Sequence, residues 1–171
     1  MTEGQHRDNK SLRLIRGNRA DWHELAWVCV GMANAHGGTI AIGIENDAEA
    51  PPPTQCVDDP LVDRLRKRIP QLTVNVAVVA ERKTHANGGQ LIELRVLPSR
   101  STVAATTDGR YGLRVGDETR TLMPEDLIRL MADKNAFTWE TAVSRRVPRH
   151  AVDRDALAAF ISGIRASARV T

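Results

Sequence analysis

Aromatic residues are scarce in this chain of 171 residues: one tyrosine, two phenylalanines and three tryptophans, 4% in all. A surface that stacks bases on aromatic rings is therefore poorly supplied. The two cysteines, Cys29 and Cys56, are too few for a disulfide framework. Together with the scattered His6, His23, His36, His85 and His150 they lack zinc-ligand spacing, so no metal site is expected. No apolar run approaches the roughly 20 residues that cross a bilayer. The opening residues, Met1 to Arg7, have no signal-peptide core. A cytoplasmic chain with free thiols and no membrane contact is the expectation. There is no Gly-x-x-x-x-Gly-Lys-Ser/Thr loop, no glycine fingerprint opening a helix and no Gly-x-Ser-x-Gly elbow. These absences set aside P-loop, dinucleotide and hydrolase chemistry and leave no cofactor to expect.

What is present is ordinary in bulk and uneven in charge. Hydrophobic content of 42% and charged content of 26% suit one globular domain with a short appendage. The net charge is only +3, yet residues 1–20 hold five Lys/Arg against two acids, and residues 134–171 hold seven against three. Basic ends on an acidic middle suit an anionic partner; plain solubility is the alternative.

The stretch from Asp21 to Asn46 organises the chain. Asp21 is an N-cap with Glu24 three residues on, a capping-box-like pair. Leu25, Val28, Cys29 and Met32 recur at helical spacing. Gly37-Gly38 ends the helix, and Thr39 to Ile44 reads as a buried strand. Before it, residues 1–11 read as mobile and Ser11 to Arg16 as a short strand. After it, Pro51-Pro52-Pro53 is a stiff connector. Asp59-Pro60 opens a helix that should stop near Pro70, with Arg64, Arg66, Lys67 and Arg68 on its outer face. Thr73 to Val79 and Leu91 to Leu97 read as strands around an Asn87-Gly88-Gly89 turn. Ser101 to Thr106, Arg110 to Val115 and Thr119 to Leu122 read as further strands, and Pro124 to Met131 as a helix. Past a basic linker, a last amphipathic helix carries Leu157, Phe160, Ile161 and Ile164 on one side. The fold expected is α+β: a mixed or antiparallel sheet flanked by about three helices over residues 8–133. Residues 134–171 add a linker and a C-terminal helical extension.

Two motifs stand in order: Met32-Ala33-Asn34-Ala35-His36-Gly37-Gly38 running through Gly43, and Tyr111-Gly112-Leu113-Arg114-Val115-Gly116. Together they resemble the Schlafen/AlbA-like family of DNA-binding domains. The resemblance implies nucleic acid, DNA first, as the partner, with a role in transcription regulation or phage defence. Members often begin Glu-Ser-x-x-x-Glu-Phe-Lys, and the nuclease-type members use both acids plus one after the central strand. Sliding that pattern along the chain sets Asp8 at the first acid and Arg13 at the second, with Glu45 or Asp47 as the later one. An arginine within such a cluster would repel a metal and attract phosphate, which favours binding over cutting.

Three readings follow. The first is a binding module without catalysis, in which Lys10, Arg13, Arg16, Arg19, Arg110, Arg114 and Arg120 line a basic groove. Asn34 serves there as a structural cap or a base contact, and Gly43 marks a bulge or a close backbone approach. Arg114 points at phosphate or pairs with Asp117 or Glu118. The second reading is a divergent metal-dependent nuclease using Asp8, Glu45 and Asp47. The third is an interaction subunit that docks a partner or a second copy through Leu157, Phe160, Ile161 and Ile164.

Overall fold

The computed structural model describes residues 4–18, 20–45, 48–134 and 153–167. The chain divides into two compact units, residues 1–137 and 138–171. In the first, strands β1 (Arg7–Lys10), β2 (Gly38–Ile42), β4 (Val78–Thr84) and β5 (Gln90–Val96) form one sheet. Their order is β1-β2-β5-β4. β1 runs parallel to β2, and the other two pairings are antiparallel, so the sheet is mixed. Helices α1 (Trp22–Asn34) and α2 (Asp59–Leu72) share one core with it. Strands β3 (Thr73–Val74) and β6 (Ala105–Thr106) pair, as do β7 (Gly112–Val115) and β8 (Glu118–Thr121); α3 (Pro124–Asp133) follows. The second unit contributes α4 (Arg154–Ser167). This is the α+β class with a mixed sheet and a C-terminal helix.

The core follows the apolar periodicities. Ile40 and Ile42 of β2, Ile92, Leu94 and Val96 of β5, Leu25, Cys29 and Met32 of α1, and Leu65 and Ile69 of α2 are all sealed from solvent. Each large aliphatic group buried this way contributes about 1.5–3 kcal/mol. The Asp21 carboxylate accepts from the Glu24 amide at 3.0 Å, as the capping reading requires. Burial, and secondarily the Asp8 carboxylate, push the Cys29 thiol up to about 12, which leaves it an inert core group.

Four readings of the sequence are corrected. Residues 7–10 are a strand, because Asp8 to Lys10 pair in register with Ile40 to Ile42. Their polar composition hides them from any apolar pattern. Residues 12–14 are a 3-10 turn capped by Ser11, whose hydroxyl accepts from the Arg13 amide at 3.2 Å. α2 continues through Pro70 to Leu72, since a proline in the last turn removes only one helical bond. The span 73–79 is broken at Asn75, with φ of 60°, whose side chain donates to the Val103 carbonyl at 3.0 Å. β3 thereby leaves for β6, and β4 starts afresh at Val78.

Candidate functional site

The residues of the two motifs converge where the end of α1 meets β7 and β8. Asn34 is buried there. Its amide donates to the carbonyls of Ala104 and Gly112, each at 2.8 Å, and its oxygen accepts from the Ala104 amide at 2.8 Å. It ties the helix end to two distant segments, so the geometry is that of a structural clamp. Gly31 and Gly112 make the close approach possible. A Cβ at Gly31 would lie 2.4 Å from Thr119 Cγ2, and one at Gly112 would lie 2.7 Å from the Trp27 ring. Gly37 takes φ of +74° and has no room for a side chain under the Val96 carbonyl; Gly38 sits as tightly on His6. Gly43, at φ of +121°, faces Gln55, whose amide donates to the Gly43 carbonyl at 2.9 Å. Gly116 turns β7 into β8 at φ of +65°, and Tyr111 is exposed.

Asp8 is the centre of a chain of charges. Its carboxylate is 3% exposed and meets Arg114, 2% exposed, at 3.3 Å. Lys10, two residues on and on the same face of β1, reaches the same oxygen at 3.4 Å and Glu24 at 3.9 Å. Arg114 also donates to the Gly4 carbonyl at 3.4 Å. The partner of Arg114 is thus neither Asp117 nor Glu118, and its guanidinium is folded inside. A carboxylate oxygen shared by two cations has little capacity left for a hard metal ion. Glu45 accepts from the Ser11 hydroxyl at 2.7 Å, and Asp47 lies outside the described residues. Among the described residues no three His, Cys, Asp or Glu side chains stand close enough to hold a metal.

The other expected cations are dispersed. Arg13 and Arg16 follow β1, exposed and unpaired among the described residues. Arg19 lies outside the described residues. Arg110 stacks on Trp27, its guanidinium carbon 4.3 Å from the ring centre. Arg120 pairs with Glu118 at 3.6 Å on the exposed hairpin. On α2, Arg66 is consumed by the Ala80 carbonyl at 2.7 Å and by Asp63, whereas Arg64, Lys67 and Arg68 line a shallow cleft of about 420 Å³.

A larger cleft, about 700 Å³, opens beside the end of α1. Arg114 is the one expected cation in its lining; Gln5, His36, Arg100 and Lys134 join it. Lys134 is buried, and its ammonium donates to the carbonyls of Ser99 and Ala33. Burial holds its pKa below the usual lysine value. In the sequence, Lys134 opens the basic linker. A lysine directly after an amphipathic helix carries no sign that its head turns inward.

The family model described as Schlafen, AlbA_2 matches residues 3–123. Comparison with curated proteins gives no match. Among solved structures the chain is similar to the DIP2311 protein from Corynebacterium diphtheriae, at 25% identity over 69% of this chain, with a TM-score of 0.49. The chain spans 25% of that protein's length.

Proposed function

The chain belongs to the Schlafen, AlbA_2 family, and from that premise we propose a module that holds nucleic acid, DNA first, by its phosphates and does not cut it. One observation carries this reading: Arg114 and Lys10 share the Oδ2 of the buried Asp8 carboxylate, while Arg13 and Arg16 just beyond the same strand stay exposed and unpaired among the described residues. The first half speaks against Asp8 as a metal ligand of the nuclease type. The second supplies cations for phosphate. Arg110, stiffened on Trp27, and the outer cations of α2 add exposed positive charge elsewhere on the domain. A regulatory or defensive role, in the cytoplasm, is the setting such a module would serve.

The test is incubation of labelled single- and double-stranded DNA and RNA with the full chain, with and without manganese. Retarded, intact probe is the expected result. Probe cut by the wild type and spared by Asp8→Asn would replace this reading with the nuclease.

A second reading has its own observation. α4 exposes Leu157, Phe160 and Ile161 on one side, at 48%, 66% and 41%. That stripe, continued by Ile164, suits docking to a partner or a second copy.

A further inference from the structure

We infer that the cleft beside the end of α1 is a phosphomonoester site, with Lys134, Arg114 and Arg100 as the groups that hold the anion. The inference concerns a different place from Arg13 and Arg16, and it does not depend on the phosphate-backbone reading.

The first ground is charge. Lys134 is 8% exposed, yet its ammonium has two carbonyl oxygens and, among the described residues, no carboxylate within ion-pair distance. A buried cation without a counter-charge is costly, and proteins rarely keep one without a use. Arg114 is nearly as incomplete. Its two terminal nitrogens are taken by Asp8 and Gly4, but its Nε is buried with no acceptor. Asp8 supplies one negative charge and divides it between Arg114 and Lys10. The positive charge around the cleft therefore exceeds the negative. His36 and Arg100 stand exposed in the lining, and Asp133 is its only carboxylate among the described residues.

The second ground is size and donor type. About 700 Å³ lies within the range of clefts that hold nucleotide-sized ligands. The exposed Arg100 guanidinium offers a planar fork of donors and the Lys134 ammonium a compact point charge, the pair that a terminal phosphate takes. The ammonium is anchored by the Ala33 carbonyl near the end of α1 and the Ser99 carbonyl opposite it. It is thus fixed in advance, which lowers the entropy lost on binding. A free mononucleotide and the phosphorylated end of a strand present the same group, and the experiment separates them.

The full chain is titrated calorimetrically with inorganic phosphate, with AMP, and with one oligonucleotide carrying either a 5′-phosphate or a 5′-hydroxyl. Phosphate and AMP are expected to bind with dissociation constants at or below about 1 mM. Arg100→Ala, a change at an exposed side chain, and Lys134→Gln should each weaken AMP about tenfold, as loss of a charge-assisted contact does. Arg13→Ala should leave AMP binding unchanged. Equal affinity for AMP and the 5′-phosphorylated strand supports a free nucleotide as ligand. A strand held about tenfold more tightly than both AMP and the 5′-hydroxyl strand supports a strand end. Absence of heat with phosphate and AMP, or AMP binding by Arg100→Ala equal to wild type, overturns the site whether or not the hydroxyl strand binds elsewhere.

Discussion

At the scale of single residues, the buried polar groups carry the domain. Asn34 satisfies two carbonyls and one amide in a sealed place, so Asn34→Ala leaves three groups unpaired. A loss of about 2–4 kcal/mol is expected, read from urea denaturation midpoints. A base-contacting Asn34 would instead lose nucleic-acid binding at unchanged stability. Asp8 and Arg114 form a buried pair whose halves depend on each other. Asp8→Asn or Arg114→Met alone should cost about 3–5 kcal/mol, and the double change markedly less than the sum of the two. Additive losses in denaturation would show that the pair is not coupled. In the sequence, Arg114 and Asp8 lie 106 positions apart. Arg114 sits in a hairpin pattern where an outward side chain is the default, so its inward turn was not legible.

At the scale of elements, the legible parts are those with an apolar period or a backbone signal. α1 announces itself by Asp21, Glu24 and its apolar face, and the hairpin from β7 to β8 by Gly116-Asp117. β1 carries Arg-Asp-Asn-Lys and has no such period; it is a strand only because β2 lies beside it. The packing of the hairpin on α1 depends on a missing side chain at Gly31. Gly31→Ala places a methyl against Thr119 and should destabilise by about 1–3 kcal/mol, despite the better helix propensity of alanine. Thr119→Ala in the same chain should recover part of that loss in thermal melts. A stabilising Gly31→Ala would show that helix and hairpin have room for a methyl group at this contact. α4 is read most simply from its exposed stripe. Phe160→Glu should leave the melting of residues 1–137 intact and, if the helix joins two copies, halve the mass seen by light scattering.

At the scale of the whole molecule, the family and the α+β class were legible because two spaced motifs constrain a glycine-bearing helix end and a hairpin together. The site was less so. The sequence places seven cations on one groove, whereas the fold buries Arg114, pairs Arg120, stacks Arg110 and turns Lys134 into a cleft that no local pattern marks. What remains for a phosphate backbone is the exposed pair after β1, with the outer face of α2. Affinity built from such contacts rests on counterion release, so it must fall linearly on logarithmic axes as salt rises. The most direct measurement is the salt dependence of the dissociation constant for a labelled duplex, taken for the wild type and for Arg13→Ala and Arg16→Ala. The account predicts steep slopes, each variant shallower by about one unit with the probe intact throughout. A flat slope, or variants with the wild-type slope, would contradict it.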